Sequence, residues 1–451
     1  MKNYIVFIFS ILLVSCSKTD TPQIVKPITD PPQYGTPFAE VPAPKDAIFY
    51  QVNMRAFSTA GNLQGVTARL DSIKNLGVNI VYLMPVYPVG ILKAINSPYA
   101  VKDYKAVAAE FGTLDDLRTL VNGAHSRNMA VMLDWVANHT SWDNAWISNT
   151  SWYQKDMQGN IVSPAGYNDV AQLNFQNDTM RTAMIEAMRY WVFTANVDGF
   201  RCDFADNVPF DFWKTAVSSF KNITGRKILM LAEGSRSDHF NAGFDFIYGF
   251  SFYGDLKNIY GNNKSATLIN DANKLEYTNA NDSSQVVRYL TNHDVNSADG
   301  TPLDLFGGKQ GSLSAFVVTA LMKGVPMIYD GQEVGLPYRL TFPFATTKID
   351  WSLNPDITAE YRKILAFRNS SAAIKGGQLF TYSSDDVVAF TKQLDKEKDL
   401  VIVNLRSNVI EYTLPASVAN ATWSNALNGG GISLTKSITL QPYGYLVLKS
   451  Q

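Results

Sequence analysis

Four short segments carry carboxylates where β-strands should run out. They are Val131-Met-Leu-Asp134-Trp-Val-Ala-Asn138-His139, Asp198-Gly-Phe-Arg201-Cys-Asp203, Leu229-Met-Leu-Ala-Glu233 and Tyr289-Leu-Thr-Asn-His293-Asp294. A single Asp after an apolar run is an ordinary turn or helix-cap residue. Four in order, two of them with an Asn-His pair, point to chemistry instead. Asp203, Glu233 and Asp294 would be enough to cleave a glycosidic bond. A retaining cleavage needs a nucleophile and an acid/base carboxyl about 5 Å apart. Neighbouring strand ends in a sheet lie about 5 Å apart. Arg201 stands two residues before Asp203 and so shares its face of a strand; its guanidinium would hold that acid ionised and oriented. Glu233 follows an apolar run, and a dry pocket would raise its pKa, as suits an acid that starts protonated. The competing reading of the same residues is an internal ion-pair network at the rim.

Those acids need a scaffold that brings strand ends together. From Ala47 the chain alternates strand and helix signals. Strands are expected at 47–51, 78–84, 130–133, 197–200, 228–232, 244–248, 286–290 and 326–329. Helical spacing appears over 65–76, 113–127, 180–194, 210–220, 312–322 and 359–368. Alternating elements imply a parallel sheet. Eight strands at this length favour a closed α/β barrel, which presents its functional groups at the C-terminal rim. No glycine-rich phosphate loop follows the first strand, which weighs against a nucleotide fold. The expected fold is therefore a TIM (β/α)8 barrel over 45–372.

Two stretches break the alternation. Residues 138–174 lack a helix signal but carry Trp142, Trp146, Trp152, Tyr153 and Tyr167, and read as a small subdomain inserted after the third strand. Their aromatics either line sugar subsites or plug the subdomain onto the barrel. From 373 to 451 short apolar runs alternate with turn residues, which predicts a C-terminal antiparallel β-sandwich domain.

The 451 residues suit two or three domains, with 46% hydrophobic and 18% charged residues arguing for a well-packed globular protein. A net charge of -1 with no basic run gives no pull toward nucleic acid. At the N-terminus, Lys2 and the apolar Ile5–Val14 run predict an exported protein's signal peptide over 1–16. Leu13-Val14-Ser15-Cys16 resembles a bacterial lipobox, which would make Cys16 the lipid-attachment residue and the protein an outer-membrane lipoprotein. Residues 17–44, rich in Pro and Thr, read as a flexible tether. Cys202 is the other cysteine; strand alternation points it away from the rim face, so it reads as a packing residue.

The four segments resemble the signature regions of the α-amylase family, glycoside hydrolase family thirteen. Asp134-Trp-Val-Ala-Asn138-His139 is similar to the first, Gly199-Phe-Arg201-Cys-Asp203 to the second, Glu233 to the third and Asn292-His293-Asp294 to the fourth. Tyr99-Ala-Val-Lys-Asp103-Tyr104 and Gly324-Val-Pro-Met-Ile-Tyr329 add to the likeness, which covers about residues 45 to 451. The resemblance implies a retaining hydrolase of α-1,4 links in starch or maltodextrin. It casts Asp203 as nucleophile, Glu233 as acid/base and Asp294 as the group that binds the sugar's 2- and 3-hydroxyls. It makes Tyr99, His139, Arg201 and His293 substrate-binding or bracing residues, with Asp134 structural. Rivals of the same fold are a cyclomaltodextrinase, a neopullulanase or a transglycosylase; a rival of another class is a non-catalytic glucan-binding protein. The partner is an α-glucan, the protein is expected to be a monomer, and no cofactor is required for the chemistry. Structural calcium is a candidate, with Asn138 as one ligand. The sequence departs from the family where Asp203 is followed by Phe204-Ala-Asp206-Asn207 in place of a Lys-His pair, at Gln172 where an Asp is usual, and at Ser97-Pro98 where a His is usual.

Overall fold

The computed structural model describes residues 28–450. Cys16 and the expected signal peptide lie outside the described residues.

Eight parallel strands close a barrel: β1 (Phe49–Val52), β2 (Ile80–Leu83), β3 (Ala130–Val136), β6 (Gly199–Asp203), β7 (Leu229–Ala232), β8 (Phe246–Tyr248), β9 (Gln285–Tyr289) and β10 (Val325–Tyr329), in the order β1-β10-β9-β8-β7-β6-β3-β2. Their residues are buried almost throughout, because the inner face fills the barrel and the outer face lies under helices. That is why each strand reads as a near-continuous apolar run. Between β3 and β6 the short pair β4 (His139–Ser141) and β5 (Val170–Gln172) forms the expected insert, with His139 opposite Gln172.

Local signals set the helices. Thr113 and Asp116 form a reciprocal capping box that starts the helix Leu114–His125. The side chain of Asn177 caps Asp178–Thr194 by accepting from the Met180 N–H. The helix expected over 65–76 is two, Leu63–Thr67 and Leu70–Asn75, because Arg69 leaves helical geometry at φ −110°, ψ 7°. Gly77, with φ +98°, closes the second in the left-handed conformation. Two helices that lacked a sequence signal, Phe250–Gly261 and Leu268–Leu275, lie between β8 and β9.

The C-terminal domain holds β11 (Gln378–Thr381), β12 (Val387–Leu394), β13 (Glu397–Asn404), β14 (Ile410–Thr413), β15 (Ala421–Asn425), β16 (Gly431–Leu434), β17 (Ser437–Leu440) and β18 (Tyr445–Ser450). A six-stranded antiparallel sheet, β11-β12-β13-β18-β15-β16, packs with the β14-β17 pair around Val387, Ile402, Trp423 and Leu448. Arg406 joins the two domains by donating to the carbonyls of Ile259, Lys264 and Asp385.

Residues 28–43 contain no helix or strand, yet they are fastened along the barrel. Asp30 accepts from Arg189, the Tyr34 N–H donates to the Phe193 carbonyl at 2.7 Å, and Asn196 donates to the Thr36 carbonyl at 2.8 Å. Phe38 stacks on His125 at 4.3 Å.

Candidate active site

Strand register brings the acids together. Asp134 on β3 stands opposite Arg201 on β6, and Cys202 on β6 stands opposite Ala232 on β7. Alternation puts Asp134, Arg201 and Asp203 on the inner face and Cys202 on the outer one. Glu233 follows β7 directly, and its N–H extends the ladder to the Cys202 carbonyl at 3.0 Å. Arg201 is fully buried. Its Nη1 donates to Asp134 Oδ1 at 2.7 Å and to Asp203 Oδ1 at 2.9 Å. Its Nη2 forms an ion pair with Glu233 Oε1. Asp203 and Glu233 therefore hang on one guanidinium. A retaining pair needs its two carboxyls side by side; here one guanidinium bridges them.

The turn after Asp203 clasps Glu233. Phe204 takes the left-handed conformation, φ 51° and ψ 39°, a costly geometry for a residue with a Cβ. It aims the Phe204 N–H at Glu233 Oε2, 2.8 Å away, while the Ala205 N–H meets the Glu233 carbonyl at 3.0 Å.

A second chain of hydrogen bonds runs under the pocket. Gln51 Nε2 donates to His293 Nδ1 at 2.8 Å. That leaves the proton on His293 Nε2, which meets Tyr99 Oη at 2.7 Å. Tyr99 donates in turn to Asp134 Oδ2 at 2.9 Å, which also accepts from Tyr82 at 2.7 Å. The Tyr99 and His293 rings stack with centroids 5.3 Å apart. Both nitrogens of His293 are thus engaged within the protein. His139 is buried, and its Nδ1 lies 3.3 Å from Asn138 Nδ2. Burial pushes both histidines down to about 4, so they are neutral donors at neutral pH.

Burial, then the charge of Glu233, pushes Asp203 well above the usual carboxylate range, with Arg201 opposing. Burial also raises Glu233, against Arg201 and with Asp294 adding to the rise. Three carboxylates, Asp134, Asp203 and Glu233, surround the single Arg201 cation. The pair accordingly holds on to one proton into the range where free carboxyls have lost theirs. Arg201 keeps Asp203 oriented as expected, but it does not by itself hold that acid low.

Asp206 occupies the place where the Lys-His pair was missed. Its carboxylate accepts from His239 Nε2 at 2.7 Å, from the Ser235 N–H at 3.0 Å and from the Arg236 N–H at 3.2 Å. These partners offset the cost of burial and lower it to about 2. Arg236 Nη1 donates back to the Asp206 carbonyl at 2.8 Å. The loop carrying Glu233 is thereby tied to the loop after Asp203. Sequence reasoning did not find this network; the adjacency of Asp206 to Asp203 was the available signal.

Asp203, Glu233, Asp294, Tyr99, His139 and His293 line one cavity of about 490 Å³. Arg201 lies beneath its floor. Asn138 is not among the lining residues. The Asp294 side chain is 62% exposed, with His293 Nε2 3.4 Å away, and reaches the open side. Of the aromatic insert, Tyr167 lines the cavity. Trp146 instead packs on Tyr104 at 4.9 Å and on Trp152 at 5.2 Å, and Tyr153 is buried, so those three anchor the insert. Phe250, Phe342 and Phe344 supply the opposite wall.

The family model for the alpha-amylase catalytic domain matches residues 48–160 and 148–350. The chain belongs to the α-amylase family. This amylase-family protein is a glycoside hydrolase. It is 25% identical over 442 residues to alpha-amylase 3 of Dictyoglomus thermophilum, covering 82% of this chain and 86% of that one. It is 27% identical over 388 residues to an intracellular maltogenic amylase of Bacillus subtilis, covering 78% of this chain and 63% of that one. An α-amylase crystal structure from Lactobacillus plantarum superposes with a TM-score of 0.81 at 26% identity, covering 90% of this chain and 99% of that one.

Among the described residues, no group of three or more His, Cys, Asp and Glu side chains could hold a metal ion. Asn138 uses its amide nitrogen on His139 and its carbonyl on the Leu173 N–H. The amylase chemistry needs no cofactor.

Proposed function

We propose that this enzyme is a retaining hydrolase of α-1,4-glucosidic bonds in starch or maltodextrins. The observation that carries the reading is the shared guanidinium: Asp203 and Glu233 both bond Arg201, so one proton on the pair leaves one acid and one nucleophile side by side. Glu233 protonates the glycosidic oxygen while Asp203 attacks the anomeric carbon, and a covalent glycosyl-enzyme forms. Glu233, now a carboxylate, deprotonates the water that releases the sugar with its α configuration. Asp294, open to the cavity, holds the sugar's hydroxyls, and the Tyr99 ring offers it an apolar face. Arg201 and Asp134 hold Asp203 in place.

A 5-fluoroglucosyl fluoride should form a stable adduct, located by mass spectrometry on the Asp203 peptide and absent from Asp203→Asn. A tag on the Glu233 peptide would reverse the roles, and first-formed β product by NMR would sink the retaining mechanism. The second reading is a maltogenic amylase or cyclomaltodextrinase. It is favoured by the maltogenic relative in Bacillus subtilis and by the maltogenic α-amylase of Thermotoga neapolitana, whose crystal structure superposes with a TM-score of 0.80 at 25% identity, covering 90% of this chain and 99% of that one. Faster turnover of cyclodextrin than of soluble starch would decide for it.

The Leu13-Val14-Ser15-Cys16 segment supports a lipid anchor on Cys16 and an outer-membrane setting for a monomeric enzyme. Radiolabelled palmitate should enter the wild type and not Cys16→Ser.

A further inference from the structure

A second cavity, of about 610 Å³, opens at the seam between the barrel and the C-terminal domain. One wall is the helix Leu268–Leu275 and the residues after it, with Asn270, Lys274 and Tyr277; the other is β11 and β12, with Gln378 and Lys392. It shares no lining residue with the catalytic cavity.

The seam is short of negative charge. Lys392 is 5% exposed, and among the described residues no hydrogen bond or ion pair reaches its ammonium. Asp399 stands across from it in the β12–β13 register, but Asp399 Oδ2 accepts from Ser371 at 2.5 Å and burial raises that carboxyl to about 6. Arg368, 2% exposed, donates only to backbone carbonyls, those of Ala320, Lys45 and Gly324. Lys323, a further lining residue, holds its Nζ 3.8 Å over the Tyr277 ring. Arg288 has its own carboxylate, Glu276. Among the described residues Lys392, Arg368 and Lys323 form no ion pair, and Asp399 is the one carboxylate set against Lys392; buried charge left unpaired is strongly unfavourable. Burial, reinforced by Arg368 and Lys323 and opposed by Asp399, pushes Lys392 down to about 7. Asn270, on the same wall, has a buried Oδ1 with no partner.

We propose that this seam is a binding site for a phosphate-class oxyanion, seated against Lys392 and Lys323. The anion supplies the missing charge, and a hydroxyl on it or on its carrier satisfies Asn270. The cavity lies within the range of small-molecule sites, so the oxyanion is either free or carried on a sugar.

Calorimetric titration of the purified protein with inorganic phosphate, glucose 6-phosphate and maltose tests this. One saturable phosphate site is expected, weakened at least tenfold in Lys392→Met and severalfold in Lys323→Gln, with starch hydrolysis unchanged. Tighter binding of glucose 6-phosphate than of phosphate would assign the sugar-borne source; equal binding would assign the free anion. Lys392→Met should also melt higher than wild type without anion and lose the anion-induced rise. No saturable phosphate binding by the wild type, equal binding by Lys392→Met and wild type, or binding of maltose as tight as that of either phosphate would overturn it. If Lys392→Met does not fold, undiminished binding by Lys323→Gln would overturn it as well.

Discussion

His239 Nε2 lies 2.7 Å from an Asp206 carboxylate oxygen and so fastens the segment after β7 to the turn after β6. Glu233 and Asp203 depart from those same two segments. Asp206→Ala should release the Glu233 loop. Misplacement of a catalytic group by about 1 Å costs about a hundredfold in rate, so kcat should fall by that order. Stability, read by urea denaturation, should fall by about 1 kcal/mol. A loss of stability with kcat intact would show that the network is scaffolding alone.

Gly234 gives an independent way to break the same contact. A Cβ there would meet Asp206 Oδ1 at 2.4 Å and His239 Nε2 at 2.5 Å. Gly234→Ala should reproduce the Asp206→Ala defect, and the double variant should be little worse than either single one. Additive losses would separate the two residues.

If Glu233 is the acid, its role is dispensable when the leaving group needs no proton. Glu233→Gln should lower kcat on maltotriose by about 10²–10⁴-fold, and the deficit should shrink on an α-glucosyl fluoride. Equal deficits on both substrates would contradict the assignment.

The histidines set a pH dependence of stability. His139 and His293 are held at about 4 in the folded protein against an ordinary 6.5. Between those values the unfolded chain binds more protons, so stability is full above about 6.5 and falls as pH drops toward 4. Urea midpoints at pH 4.5 should lie well below those at pH 7. His139→Gln and His293→Gln should each flatten that difference; an unchanged slope in both would refute it.

Tyr99 joins His293 to Asp134 through one hydroxyl. Tyr99→Phe keeps the ring but leaves His293 Nε2 without its partner. A loss of about 1 kcal/mol in stability is expected, with kcat/KM reduced about tenfold on maltotriose. A normal kcat/KM would show that the hydroxyl serves the fold alone.

The barrel is legible in the sequence because its strands are buried on both faces, so most appear as near-continuous apolar runs. The acids are legible for the same reason: Asp203 closes such a run and Glu233 follows one. What escaped depends on contacts between distant residues. Asp206 and His239 are thirty-three residues apart, and neither carries a local sign of the other. β15 and β16 are short and half exposed, rich in Ser, Thr, Asn and Gly, so alternation does not mark them. Trp146 and Trp152 carry no label for inward or outward; the packing of Trp146 on Tyr104 and of Trp152 on Trp146 decided it.

The fastened stretch 28–43 gives the enzyme a polarity. Its contacts fall at the C-terminal ends of helices, on Phe193, Asn196 and His125, and beside Lys227 just before β7. Helices in this barrel run opposite to the strands, so these points mark the pole where strands begin, whereas the cavity opens where they end. The lipid anchor proposed for Cys16 would pull on that base, behind the cavity and not across its entrance.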